Sequence, residues 1–312
     1  MEAGEFAAVA EPLRRELTAH CYRMLGSADE AQDVVQDTYL RAWRGWGRFE
    51  GRSSVRVWLY RIATNACLTA LGQRARRPLP SGLGAPADDA DTPSVLDPEV
   101  PWLQPLPDDP ADTVVGRETL RLALVASLQL LPPRQRAVLL LREVLEFSAA
   151  EVASLLDTSV PAVKSSLQRA RATLDAARGE PLSDPDSPQA RAQLDAYMSA
   201  FVNSDLTALE EALRKDATLE VVPSRTWFAG KATCVPYLAS VLGYRGEWAM
   251  FPVGGNGQPA VVVYRAGAAF GVVLLAPTPT GLAGIVLFIG ADHVDRFGYP
   301  PVLRPTPASP AR

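Results

Sequence analysis

The sequence predicts a multidomain protein: two all-α domains, the second carrying a helix-turn-helix, followed by a domain of the α+β class. Three observations predict it. Apolar residues recur at helical spacing, behind capping-box starts, through about residue 178. Those helices are interrupted from Ala85 to Asp112 by a stretch with eight acids, seven prolines and no Lys or Arg, which cannot be one helix or a central strand. From Gln189 onward helices give way to β-rich runs separated by Gly and Pro.

The bulk composition narrows the class. A chain of 312 residues can bury a sizeable core, and its net charge of -4 argues against a uniformly basic nucleic-acid coat, so charge has to be followed segment by segment. No apolar run reaches the length of a membrane span, and the opening MEAGEFAAVAEPL lacks the basic-then-apolar order of a secretory signal, so the expected compartment is the cytoplasm, away from any membrane. Cys21, Cys67 and Cys234 lie far apart without metal-ligand spacing, and three reduced thiols with no metal and no cofactor are expected. His20 and His293 have no sequence neighbour that would make either a nucleophile's base, so no catalytic residue is expected among them.

Taking the elements in order, Phe6 to Leu25 has helical spacing and stops at Gly26, a residue suited to a helix C-terminus. Ser27 and Glu30 then form a capping-box start for SADEAQDVVQDTYLRAW, whose Glu30, Asp33 and Asp37 make one side acidic. That side is either a solvated face or a docking surface. Between Arg48 and Arg77 the sign reverses: seven arginines stand against the single acid Glu50, with Phe49, Trp58 and Tyr60 interleaved. Basic groups neutralise phosphates, and aromatic faces beside the tight loop FEGRSS can hold bases that have left the stack. Ser53 or Ser54 caps the next helix, with Leu59, Ile62, Ala63 and Ala66 inward and Arg61 and Thr64 outward, flanked by Arg56 and Asn65. Trp58 and Tyr60 suit stacking or the core equally.

The acidic proline-rich stretch reads as an extended, solvated, semi-rigid spacer. Within it VPWLQPLPD is apolar, and Trp102 there points either to docking on another domain or to a local turn closed by the indole. Beyond the spacer, LPPRQRAVLLLREVLEFSAAEVASLLDTSVPAVKSSLQRARATL holds a support helix and a helical hairpin. Ser148 and Glu151 form a capping box, Asp157 to Ser159 supply the turn, and Ser159 caps a helix with Pro161 in its first turn. On that last helix Val163, Leu167, Ala170 and Leu174 share an apolar face, and Ser165, Gln168 and Arg169, with Lys164 and Arg171 at the margins, occupy the other. Such donors reach base edges and phosphates in a major groove, although any helical hairpin needs one apolar and one solvated face.

After a second spacer, GEPLSDPDSP, two amphipathic helices are expected over Ala192 to Phe201 and Leu206 to Leu213, a strand around Thr218 to Val222 and a helix near Cys234 to Leu242. Strands follow over Ala260 to Tyr264, Ala269 to Leu275 and Leu282 to Ile289, giving a curved antiparallel sheet packed on helices. Ionisable residues in this region are few. Glu220, Arg225 and Arg265 stand out among them.

The order of an acidic helix, the FEGRSS loop, VRVWLYRIATNACL, a spacer and the LPPRQRAV to RATL block resembles the extracytoplasmic-function group of sigma-70-type RNA polymerase sigma factors. The resemblance implies core RNA polymerase and promoter DNA as partners. It assigns Asp33, Gln36 and Asp37 to the polymerase clamp helices. The loop Phe49, Arg52, Ser53 and Ser54 would receive a flipped minus-10 base, and Arg56, Arg61 and Asn65 would hold the melted strand. Lys164, Ser165, Ser166, Gln168, Arg169 and Arg171 would face the minus-35 duplex. Val55, Val57 and Thr69 depart from that family's polar and acidic pattern. The linker would run along the polymerase. The last part, through WFAGK, NGQPAVVVY and IVLFIGADHVDRFGYP, resembles SnoaL-like members of the NTF2-like superfamily, which implies an α+β conical barrel with a pocket. Glu220, Arg225 and Arg265 would be its candidates if it were an enzyme, and a small-molecule ligand in that pocket or a regulatory contact are the other readings. The expected divisions are 1–78, linker 79–113, 114–178, linker 179–188, 189–301 and tail 302–312. The domain at the end would regulate the rest in cis, with Trp102 as the interdomain contact. A helix-turn-helix regulator with a ligand-sensing domain, and a SnoaL-like enzyme fused to DNA-binding domains, are the alternatives.

Overall fold

The computed structural model of the chain describes residues 3–51, 53–72, 76–109, 118–176 and 181–303. They form two bodies: one takes the described residues of 1–77 and 119–179, the other those of 78–118 and 180–312.

The first body is helical. The predicted Phe6 to Leu25 helix is two, α1 (Ala3–Ala10) and α2 (Arg14–Leu25), separated by a 3-10 turn at Glu11–Leu13. Pro12 is the reason, since it donates no backbone hydrogen bond and fits only a first turn. Gly26 ends α2 in the left-handed region at φ 68°, returning its N–H to Tyr22. Ser27 accepts from the Glu30 N–H to start α3 (Ala28–Gly45), while the Glu30 carboxylate takes Arg77 at 2.8 Å. Ser54, rather than Ser53, caps α4 (Val55–Leu71) through the Val57 N–H.

The second run of helices packs on the first within this body. It comprises α5 (Leu122–Leu128), α6 (Pro133–Leu139) with a π-helical turn at Leu140–Val144, α7 (Ala149–Leu155) and α8 (Val160–Ala176). The Ser148–Glu151 capping box is complete, with both reciprocal bonds formed. At the junction Arg136 is buried and donates to four acceptors: Met24 O at the end of α2, Gln129 Oε1 at 2.6 Å, Gln129 O and Leu131 O. The guanidinium thereby satisfies a helix-end carbonyl that would otherwise be buried alone.

The second body is built on a six-stranded sheet in the order β2-β1-β6-β5-β4-β3. Its helices are α9 (Pro188–Asn203), α10 (Leu206–Ala212), α11 (Lys231–Val241) and α12 (Ala291–Arg296). Its strands are β1 (Leu213–Val222), β2 (Trp227–Ala229), β3 (Trp248–Gly255), β4 (Gln258–Arg265), β5 (Ala268–Thr278) and β6 (Gly281–Ile289). The sheet is mixed, not purely antiparallel as expected: β1 lies parallel to β6. A parallel neighbour needs a long crossover, which the chain from β2 to β5 supplies.

Strands β4 to β6 read as continuous apolar runs because both faces are covered. Val261, Val263 and Val273 join Tyr197 and Phe201 of α9 in one core. On the opposite face Tyr264 and Phe288 are buried beneath Phe251 and His293, with Tyr299 tilted against Phe251. At Gly271 any Cβ would lie 2.2 Å from Phe288 O, so the close approach of β5 to β6 requires glycine there.

The segment read as a solvated spacer belongs to this body by its contacts, which differs from the expected linker at 79–113. It crosses the sheet as a strap. Ser81 N–H donates to Glu220, Ala87 N–H to Trp227 O, and Asp97 N–H to Pro223 O, with Arg225 N–H returned to Val95 O. At the other edge Leu106 and Asn256 exchange bonds, Leu106 N–H to Asn256 Oδ1 at 2.9 Å and Asn256 N–H to Leu106 O at 2.8 Å. Asp108 Oδ1 then accepts from Gly257 N–H at 2.7 Å. A Cβ on Gly254 would meet the Asp108 side chain at 2.7 Å, so glycine leaves the strap its seat. Proline is compatible with the pairings at the two edges, Ala87 beside Phe228 and Pro107 beside Gly255, where alternate N–H groups need no partner.

Candidate nucleic-acid interface

On α3, Asp33 and Gln36 are exposed and Asp37 is half-buried, pairing with Arg41 at 2.8 Å. Two apolar side chains not read as site residues from the sequence lie on the same stripe. Leu40 and Trp43 follow Gln36 at spacings of four and three, and they are 47% and 54% exposed. Large apolar groups left in water beside carboxylates mark an interaction surface better than the charges alone. Periodicity does not reveal them, because a Trp at helical spacing is ordinarily assigned to the core.

The FEGRSS loop closes a concavity of about 380 Å³ lined by Gly45, Arg48, Phe49, Glu50, Ser53 and Trp58. Phe49 stacks on Trp46 with ring centres 5.5 Å apart and planes 7° apart, and meets Trp58 at 4.9 Å. The two readings of the aromatic pair separate here. Trp58 lines the open concavity, whereas Tyr60 is buried and gives its hydroxyl to Glu16. Trp46, not singled out from sequence, forms the back of the aromatic stack. Ser54 is occupied as the α4 cap, Ser53 stays at the rim, and Arg52 lies outside the described residues.

Arg61 and Asn65 are exposed one turn apart on α4. Arg56 is not with them. Five residues earlier on the helix it points about 140° away, where it meets Glu16 at 3.2 Å and Leu145 O at 3.4 Å.

On α8 the apolar face is seated, with Val163 and Ala170 buried. The opposite face is open: Lys164, Ser165, Gln168, Arg169 and Arg171 are exposed and Ser166 is half-buried. Arg169 is pre-oriented by Ser165 Oγ at 2.7 Å, and Arg171 pairs with Glu143 at 2.6 Å on the surface. Donors in a row on an exposed helix face can reach base edges and phosphates.

Trp102 is buried, and its indole N–H donates to Asp97 O at 2.7 Å. The local turn and the docked segment are thus one structure. The three ionisable candidates in the sheet body are each engaged. Glu220 is buried under the strap, with burial raising its pKa against the Ser81 N–H; Arg225 pairs with Asp97 at 2.6 Å and Arg265 with Glu247 at 2.6 Å. A cavity of about 100 Å³ behind α9 is walled mainly by Tyr197, Phe201, Trp248, Phe270 and aliphatic side chains, with Arg265 at its margin. Among the described residues no group of His, Cys, Asp and Glu could hold a metal ion, and no helix is long and apolar enough to cross a membrane.

Two family models match the helical body: sigma-70 region 2 over residues 9–77 and sigma-70 region 4 over residues 121–174. These define a sigma-70-type protein. The chain is 47% identical to the ECF RNA polymerase sigma factor SigG of Mycobacterium tuberculosis, over 95% of this chain and 84% of that protein. It is 30% identical to the sigma factor SigJ of the same organism over 70% of this chain and 64% of SigJ. The crystal structure of SigJ superimposes with a TM-score of 0.62 at 21% identity, covering 96% of this chain and all of that one, which shows a shared fold. The chain belongs to the extracytoplasmic-function family of RNA polymerase sigma factors.

Proposed function

We propose that the protein is a promoter-specificity subunit of bacterial RNA polymerase whose own sheet body regulates it by holding the linker. The observation that carries the reading is the exposed donor face of α8 in the same helical body as the aromatic concavity at Phe49 and Trp58. One suits duplex base edges and the other an unstacked base. The stripe Asp33, Gln36, Leu40 and Trp43 is the surface for core polymerase, and Arg61 and Asn65 are placed to hold the melted strand.

Regulation in cis is supported by the strap. Residues 81–108 make backbone and side-chain bonds to β1, β2, β3 and the turn at Asn256, so a linker held there is not free to follow a path along the polymerase. We assign the sheet body no turnover, since Glu220, Arg225 and Arg265 are each engaged.

Substituting Arg169→Ala tests the assignment of α8. A good bidentate base contact is worth about 1–3 kcal/mol, so promoter binding by the holoenzyme should weaken roughly 5- to 150-fold at promoters read by α8. Core polymerase capture should be unchanged. Loss of core binding in Arg169→Ala, or failure of the unsubstituted protein to bind core, would overturn the reading; a conventional helix-turn-helix regulator binds duplex DNA without core.

A further inference from the structure

Arg56 sits where the two runs of helices in the first body meet. Its guanidinium donates to Glu16 Oε2 of α2 through two nitrogens at 3.2 Å, and to Leu145 O, just before α7, at 3.4 Å. It also lies over the rings of Tyr60 at 5.3 Å and Phe147 at 4.8 Å, and those two rings meet edge to face at 5.4 Å. Arg56 is therefore the one described residue of α4 whose charge is shared between α2 and the Leu145–Phe147 corner of the second run.

The pair with Glu16 is about half exposed on the carboxylate side. An ion pair in that setting is weak and readily exchanged for another anion. A phosphate is such an anion, and guanidinium binds it in the same planar, two-pronged manner. Arg56 cannot serve both at once. To turn toward the face that bears Arg61 and Asn65 it must leave Glu16, the Leu145 carbonyl and the Phe147 ring.

We propose that Arg56 is a clasp that couples capture of a single DNA strand to loosening of the contact between the two runs of helices. The inference rests on the reading of α4 as a strand-holding helix and extends it. Coupling runs both ways: a strand that takes Arg56 removes one tie across the junction, and loosening the junction releases Arg56 for the strand. Arg136, buried at the same junction, is already bonded to four acceptors there.

The test uses the full chain. Labels are placed at Arg44→Cys on α3 and Thr173→Cys on α8, both exposed; the three native cysteines are buried. Their separation and the affinity for a mixed-sequence single-stranded DNA are measured at low salt. The strand should lengthen or broaden the label separation. Glu16→Ala should bind the strand about two- to fivefold tighter, the range set by one exposed ion pair. In an Arg56→Ala background that gain should vanish, which separates release of Arg56 from simple loss of a negative charge. Binding with an unchanged label separation, or an equal gain without Arg56, overturns the coupling and leaves the strand-holding assignment standing. If neither the unsubstituted protein nor Glu16→Ala binds the strand, alone or with core polymerase, the assignment of α4 falls, and the coupling with it.

Discussion

Arg136→Met is expected to lower the stability of the helical body by about 3 kcal/mol, since each buried acceptor left without a donor costs about 1–3 kcal/mol and relief from burying a charge offsets part of the sum. Met24 O, Gln129 Oε1, Gln129 O and Leu131 O would all lose their donor, and burial has already drawn the guanidinium pKa down to about 10. For a body of this size the midpoint of thermal unfolding should fall by about 10 °C. Arg136 belongs to the second run of helices and Met24 to the first, so both halves should melt in one transition that moves as a whole. An unchanged midpoint, or two transitions of which only the later one shifts, would contradict this.

The second large effect is acid sensitivity through His20. The imidazole is fully buried, bonded to Thr64 at 2.9 Å, and its Nδ1 meets no hydrogen-bonding atom among the described residues. Burial first, and the nearby Arg23 charge second, lower its pKa from 6.5 to about 3. Between those values the unfolded chain binds a proton that the folded chain does not. Acidification therefore favours unfolding: the stability is present above pH 6.5 and is lost as pH falls toward about 3. Inside that window the loss approaches about 1.4 kcal/mol per pH unit, reaching roughly 4 kcal/mol at its acid end. His20→Gln, which retains a donor toward Thr64, should flatten the acid limb in denaturation measured from pH 7 to 4; parallel limbs would show that His20 is not its source.

What could be read from the sequence was local. Ser54, Ser148 and Ser159 mark helix starts because a cap is satisfied by an N–H two or three residues away. The long-range features escaped the same logic. Pro12 splits the first helix, yet its periodicity runs through the break. The strap's partners, Glu220, Trp227 and Asn256, lie more than a hundred residues from it. Its acids and prolines suggest solvation as readily as a sheet edge, with only Trp102 hinting at burial. Arg56 parts from Arg61 and Asn65 for a different reason: the family resemblance groups the three, whereas a spacing of five on a helix, legible in the sequence, turns Arg56 about 140° from Arg61. Only its partners Glu16 and Leu145 needed the fold. Trp43 shows the converse, a residue whose type suggests the core and whose exposure marks a surface.

The regulation proposed for the sheet body is most directly tested by sequencing transcripts begun by core polymerase with either the full-length protein or a form ending at Gly179. Freed of the sheet that holds residues 81–108, the shorter form should start transcripts at the same promoters in greater yield. Transcripts equal in position and yield from the two forms would contradict regulation by the sheet body, and no defined starts from either would contradict the sigma-factor reading itself.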